Sequence, residues 1–288
     1  MDCVVELEKH TTVDSLHSPS SLRINRVKEH RKSFSSWQVA SPRRRSASIR
    51  LVARHPDVYE PCDDSFALVD ALLADKVNLL EQRPSLCLEV GCGSGYVITS
   101  LALILGDVGN AQFLATDISQ TAAQVTRETL SAHGLQADVV VTDLVHGLEK
   151  RLAGSVDVLV FNPPYVPTPE HEVGAAGITA TWAGGERGRV VIDRMLTMVD
   201  NLLSTRGWFY MVTLTANNPS EICQIMKKKG FASRIVIQRY TEEENLHVLK
   251  FWREDLTFDY DYNSETGGGG ATPQSSFSSK MSRFAFWK

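Results

Sequence analysis

The sequence predicts an α/β protein built on a mostly parallel, seven-stranded sheet with helices on both faces and an antiparallel hairpin at its C-terminal end. Three observations carry this. Short apolar runs alternate with helical stretches through the middle of the chain, the pattern of a parallel sheet covered on both sides. The last two apolar runs have no helix between them, so they pair antiparallel. The loops after the first four runs carry glycine, aspartate or asparagine with proline, and sheets of this kind bind ligands outside the carboxyl ends of their strands.

The elements follow in order. Asp63-Asp64-Ser65 offers a helix N-cap, and Phe66, Val69, Leu72, Leu73 and Leu80 follow at near-helical spacing. Residues 86–90, Leu-Cys-Leu-Glu-Val, form the first strand, and 95–105 the next helix. Residues 111–116 are the second strand, and 119–133 a helix capped by Ser119. Residues 138–142 and 156–161 are the third and fourth strands, the latter strongly β-branched. Residues 188–203 are helical, 208–214 are the fifth strand, and 219–229 are a helix with Pro219 at its start and Gly230 as its stop. Residues 233–238 and 246–252 make the closing hairpin.

Three segments result. Residues 1–54 read as a disordered Ser/Arg-rich extension, 55–253 as the folded domain, and 254–288 as a flexible tail containing Gly267 to Gly270. The extension holds eleven basic and five acidic residues, a net +6, against 19 and 29 in the rest, a net −10. A body that acidic is a poor match for a phosphate backbone, so nucleic acid is not the expected partner. Between residues 15 and 54 the only acid is Glu29. That composition leaves organelle targeting open, although Asp2, Glu6, Glu8 and Asp14 oppose it. The longest apolar run, residues 97–105, includes Thr and Ser and is half the length needed to cross a bilayer, so no membrane association is expected. Cys3, Cys62, Cys87, Cys92 and Cys223 form no CxxC pair. They imply no metal site and a reducing compartment, the cytoplasm with the nucleus as a second location.

The strand-end loops carry the chemistry. After the first strand comes Glu89-Val90-Gly91-Cys92-Gly93-Ser94-Gly95. Its alternate glycines let a ligand approach the backbone closely beside a helix N-terminus, and the spacing matches neither G-x-G-x-x-G nor a P-loop. Asp117 ends the second strand, where a carboxylate can accept from ribose hydroxyls. Asp143 ends the third, where it and the adjacent backbone could read an adenine amine. After the fourth comes Asn162-Pro163-Pro164-Tyr165. Its prolines fix φ, remove two donors and leave carbonyl acceptors, while Asn162 adds an amide oxygen and Tyr165 a flat ring. Such a cradle suits a planar –NH2 group. Cys92 needs only to be small, His133, His146 and His171 share no metal spacing, and Lys227 to Lys229 favour a helix C-terminus. Residues 182–188 either line the substrate entrance or form a structured loop.

Together these motifs resemble the Rossmann-like class I S-adenosylmethionine-dependent methyltransferases of the amino-methylating branch. The resemblance is closer to the eukaryotic HemK-like glutamine methyltransferases. It includes Asp57-Val58-Tyr59-Glu60-Pro61, Asp64-Ser65-Phe66, Trp182-Ala183-Gly184-Gly185-x-x-Gly188, Asn217-Asn218-Pro219 and Leu246-x-Val248-Leu249-Lys250-Phe251. It implies S-adenosyl-L-methionine as cofactor and N5-methylation of the glutamine in the Gly-Gly-Gln motif of a class 1 translation release factor. DNA adenine-N6 or histone lysine methylation at the same site is the alternative. Ser65, Glu89, Gly91, Gly93, Gly95, Asp117, Asp143, Leu144 and Asn162 correspond to cofactor contacts, with Glu89 ordering the glycine loop or the methionine amine. Asn162, Pro163, Pro164 and Tyr165 correspond to the substrate loop, and Asn162, Pro163 and Tyr165 to the catalytic group. The resemblance also implies a heterodimer with a small zinc-binding activator, docked near Val139 to Val141.

Overall fold

The computed structural model describes residues 46–106, 110–174, 177–240 and 245–254. The expected extension up to residue 45 and the tail from 255 lie outside the described residues. One sheet of seven strands organises the rest: β1 (Leu86–Val90), β2 (Gln112–Asp117), β3 (Asp138–Val141), β4 (Val156–Phe161), β5 (Leu203–Leu214), β6 (Phe231–Tyr240) and β7 (Asn245–Arg253). Their spatial order is β3-β2-β1-β4-β5-β7-β6. The first five strands are parallel, and β7 inserts antiparallel between β5 and β6. The β1/β4 junction is the point where the strand order reverses, so the loops leaving those two strands open side by side.

Seven helices surround this sheet among the described residues: α1 (Asp63–Ala74), α2 (Lys76–Gln82), α3 (Tyr96–Leu105), α4 (Gln120–Ala132), α5 (Glu149–Leu152), α6 (Val190–Leu202) and α7 (Pro219–Lys228). Helices α1 to α4 pack together, α5 packs on α6, and α7 packs on β6. Every residue of β4 is buried, which is why all but Asp157 are apolar; the Asp157 carboxylate accepts from Ser85 N and Ser204 Oγ. Phe209 and Phe251 stack across β5 and β7 with ring centroids 5.6 Å apart. Each such ring removes a large apolar area from water, roughly 1.5–3 kcal/mol per side chain.

The structure departs from the sequence reading in four places. The folded body begins upstream of residue 55. Ala47 is buried, and the amides of Ala47, Ser48 and Ala53 donate to Ser100 Oγ, His133 Nε2 and Thr129 Oγ1 at 3.0, 2.9 and 3.0 Å. This segment is held by those hydrogen bonds to α3, α4 and the α4 C-cap and by burial of Ala47 and Val52 in the core, too few apolar residues for hydropathy to reveal it. The single helix expected through Leu80 is two, broken at Asp75, whose carboxyl is claimed by Tyr210 and Lys250. The N-cap of α1 is Cys62, without a side-chain cap bond, which places Asp64 and Ser65 inside the first turn. Finally, β5 begins at Leu203 rather than 208, with an irregularity opposite Val156 and Val158.

Candidate active site

The glycine loop after β1 is tied down from three sides. Gly91, Gly93 and Gly95 all have positive φ, at +67, +50 and +75°. At Gly95 a Cβ would meet Thr126 Cα at 2.8 Å, so α4 and the loop pack backbone to backbone, whereas a Cβ at Gly93 would meet nothing within 4 Å. Gly95 is therefore required for packing, and Gly93 turns toward open space in front of the loop. Thr126 Oγ1 donates to the Gly93 carbonyl at 3.0 Å.

Glu89 is fully inside, and its Oε2 accepts from the Ile98 amide at 2.8 Å. Ile98 is the third residue of α3, so Glu89 satisfies a donor that a capping side chain would otherwise take. Burial pushes its carboxyl well above the ordinary value, against the pull of that hydrogen bond. Glu89 thus fixes the start of α3, immediately after the glycine loop. Asp117 also holds the loop. Its Oδ2 accepts from Gly93 N and its Oδ1 from Ser119 N, both at 2.9 Å. Burial raises its carboxyl despite those bonds. Asp143 lies at the rim, half exposed and paired with Arg194 of α6 at 2.6 Å, a partner that no local pattern in the chain announces. Leu144 beside it is buried and adopts φ +50°, a turn that aims its own backbone rather than its side chain. Burial raises the Cys92 thiol far above its ordinary value, which keeps it unreactive.

The loop after β4 is built around Asp64, a residue read in the sequence as part of a helix cap and of the family resemblance, with no site role assigned. Asn162 Nδ2 donates to Asp64 Oδ2 at 3.0 Å, and the Tyr165 hydroxyl donates to the same oxygen at 2.9 Å. The other carboxyl oxygen accepts from Ser65 N and Ser65 Oγ. Ser65 thus spends its hydroxyl proton on Asp64. Tyr165, anticipated as a flat surface, is buried with its hydroxyl turned inward. Pro163 is buried and Pro164 half-buried. Asn162 Oδ1 is buried and has no hydrogen-bond partner among the described residues.

A second unforeseen residue secures the loop from behind. Asn217, fully buried, donates from Nδ2 to the carbonyls of Tyr165, Arg187 and Gly188 at 2.8, 3.0 and 3.3 Å, while its Oδ1 accepts from Leu214 N at 2.7 Å. Residues 182–188 form the other support. Val166 N donates to Trp182 O and Gly184 N to Val166 O, at 3.0 and 2.9 Å. A Cβ at Gly184 would meet the Pro164 carbonyl at 2.7 Å. This stretch backs the loop after β4, and Gly184 and Gly188 allow its close approach. The pairing Asn217-Asn218 was the available signal: Asn218 caps α7 through Glu221 N, while only the Oδ1 end of Asn217 is used locally, on Leu214 N, leaving its Nδ2 for distant carbonyls.

A single inverted strand in a parallel sheet, a glycine turn at the switch point, acids at successive strand ends and an asparagine–proline cradle define a methyltransferase of the class I architecture. The comparisons agree. The "Methyltransferase small domain" family model matches residues 52–180. Over 195 residues the chain is 50% identical to "Methyltransferase HEMK2" of Homo sapiens, covering 68% of this chain and 89% of that one. Over 210 residues it is 38% identical to "eRF1 methyltransferase catalytic subunit mtq2" of Schizosaccharomyces pombe, covering 68% and 90%. The solved E. cuniculi Mtq2–Trm112 complex, described as responsible for methylating the eRF1 translation termination factor, matches with a TM-score of 0.51 at 26% identity, covering 69% of this chain and 99% of that one. The chain belongs to the HemK-like glutamine methyltransferase family.

Proposed function

We propose that this enzyme transfers a methyl group from S-adenosyl-L-methionine to the side-chain amide nitrogen of the glutamine in the Gly-Gly-Gln motif of a class 1 translation release factor. The observation that carries the reading is the Asn162 amide. One end is committed to Asp64, and the other is a buried acceptor without a partner among the described residues. A buried polar atom of this kind calls for a donor, and a primary amide –NH2 supplies two.

The residues present fit the cofactor. Gly93 faces open space at the switch point. Asp117 retains lone pairs for ribose hydroxyls beyond the two it spends on the backbone. In this reading Asp143 and the Leu144 backbone take the adenine edge, Ser65, Gly91 and Gly95 contact the cofactor, and buried Glu89 supports the start of α3 beneath it. When bound, the cofactor supplies a methyl carbon on a sulfonium, a leaving group good enough that no strong base is needed. A glutamine nitrogen is a poor nucleophile because its lone pair is delocalised. Asn162 Oδ1 and the Pro163 carbonyl accept its two hydrogens and so fix the nitrogen against the methyl carbon. Tyr165, tied through its hydroxyl to Asp64, holds the end of the loop in place. The protein's contribution is positioning and preorganised dipoles, with one N–H proton released as the N–C bond forms.

The same reading includes a small zinc-binding activator bound along β3. That strand is the sheet edge, Val141 and nearby Ile118 are 46% and 66% exposed, and an open apolar edge of this kind is normally covered. The solved relative is a complex with Trm112.

Transfer of labelled methyl to a purified class 1 release factor, with and without the activator, tests this. Duplex DNA and histone serve as competing substrates, and Asn162→Ala as control. Label on the Gly-Gly-Gln glutamine, with turnover falling far more than cofactor affinity in Asn162→Ala, is the expected result. Label on DNA or histone instead would replace the substrate while keeping the cofactor.

A further inference from the structure

We infer that Asp64 is the positioning residue that decides which end of the Asn162 amide faces the substrate, and so makes the site select a nitrogen that carries hydrogens. This rests on the function proposed above.

The two ends of an asparagine amide are almost the same size, and only hydrogen bonding tells them apart. A carboxylate accepts and does not donate. Asp64 Oδ2, 3.0 Å from the amide nitrogen of Asn162, therefore forces Nδ2 inward and Oδ1 outward. With Asn162 flipped, an oxygen would face Asp64 and an –NH2 would face the –NH2 of the substrate, two repulsive pairings in one move. The same Oδ2 receives the Tyr165 hydroxyl at 2.9 Å, so the first and last residues of the loop share one anchor 98 and 101 positions away in sequence.

Asp64 is itself held so that only a carboxylate fits. Oδ1 faces Ser65 N, Ser65 Oγ and the Cys62 thiol, and Oδ2 faces Asn162 Nδ2 and the Tyr165 hydroxyl. Donors surround both oxygens, and no described cation forms an ion pair with Asp64. An asparagine there would have to aim its own –NH2 at donors on one side or the other. Asp64→Asn is therefore nearly isosteric and still wrong. That separates an orienting role from a space-filling one, which the isostere would preserve.

The test uses the full chain together with its activator. Steady-state methylation of a release factor, calorimetric titration with S-adenosyl-L-methionine, and NMR exchange of the Asn162 side-chain amide hydrogens are compared for wild type, Asp64→Asn and Tyr165→Phe. Loss of one charge-assisted orienting bond lowers kcat roughly tenfold to a hundredfold in Asp64→Asn, while the cofactor Kd moves by less than about threefold. The Asn162 amide hydrogens, slow to exchange in wild type, become fast in Asp64→Asn and stay slow in Tyr165→Phe, which leaves the Asn162 bond in place. Unchanged kcat or unchanged exchange in Asp64→Asn overturns the inference, as does a parallel loss of cofactor binding. If the wild type proves inactive on the release factor, the proposed function fails, and the exchange measurement still decides the role of Asp64. If Asp64→Asn does not fold, fast exchange of the Asn162 amide in the wild type is enough to reject it.

Discussion

Gly188 lies directly against the main chain of Tyr165. At its φ of +64°, a Cβ would sit 1.9 Å from the Tyr165 carbonyl oxygen and 2.4 Å from Asn217 Nδ2. The loop after β4 is thus seated on bare backbone, and the polar atom that fixes its far end occupies the space a side chain would take.

Gly188→Ala should accordingly cost far more than an ordinary glycine replacement. A left-handed non-glycine residue costs about 1–2 kcal/mol by itself. Gly134, at φ +70° and with room for a Cβ that would meet nothing within 4 Å, isolates that cost. Urea unfolding of Gly134→Ala should show about 1 kcal/mol of destabilisation. Gly188→Ala should lose at least about 3 kcal/mol, with kcat falling as Tyr165 is displaced. Equal losses in the two variants would show that the contact is soft.

Asn217→Asp should be worse than Asn217→Ala. The alanine leaves the Tyr165, Arg187 and Gly188 carbonyls and the Leu214 amide without their shared partner, at about 2–3 kcal/mol. The aspartate keeps the acceptor for Leu214 but sets an oxygen against three carbonyls. Thermal unfolding ranks the two, and a more stable aspartate variant contradicts the assigned donor geometry.

Glu89→Gln should change how stability depends on pH. Burial raises the Glu89 carboxyl well above its ordinary value, so the folded state binds that proton more tightly than the unfolded state. The stability tied to it is fully present below the unfolded value and is lost as pH rises through the raised folded value. A glutamine keeps an acceptor for Ile98 N and carries no such dependence. Urea midpoints of wild type and variant should therefore diverge in the variant's favour as pH rises from about 4 toward neutrality. Parallel curves would mean that Glu89 stays ionised in the fold.

Lys250→Met should unfold the protein more readily than replacing both members of its pair. Lys250 Nζ donates to Asp75 Oδ2 at 2.7 Å and lies 3.4 Å over the Trp208 ring, with both charged groups buried. Burial pushes the Asp75 carboxyl up, but the hydrogen bonds from Lys250 and Tyr210 outweigh it and hold it below the ordinary value. The Asp75 carboxylate's contribution is accordingly present above that ordinary value and lost as pH falls through the lowered one, while burial pulls the Lys250 ammonium below its ordinary value against its bond to Asp75. Removing the lysine leaves the buried carboxylate with only the Tyr210 hydroxyl and the half-exposed Arg234 at 3.5 Å, at about 3 kcal/mol, the low end for breaking a buried pair. The double variant Asp75→Asn, Lys250→Met should recover most of that in thermal unfolding at neutral pH, and a double variant no better than the single would refute the pairing.

Much of the fold is legible in the chain. The bounds of β1 and β4 coincide with their apolar runs because fully buried parallel strands tolerate little else, and polar or glycine residues stop them sharply. The hairpin of β6 and β7 follows from the missing helix between them. Weakly patterned pieces were hidden. Residues 46–54 attach through hydrogen bonds to side chains, α5 is one turn long, and the break at Asp75 arises from partners on β5 and β7.

By itself, the sequence determined the order of strands and helices and the chemistry at each strand end: Glu89 and three glycines after β1, Asp117, Asp143, then Asn162 to Tyr165. Local spacing is enough for these, because strand ends and turns are written in residues next to one another. Only the tertiary structure decided what holds them. Asp64 meets Asn162 and Tyr165, and Asn217 meets Tyr165, across gaps of 98, 101 and 52 residues. The sheet order brings those segments together, and buried donors and acceptors must be matched wherever it places them.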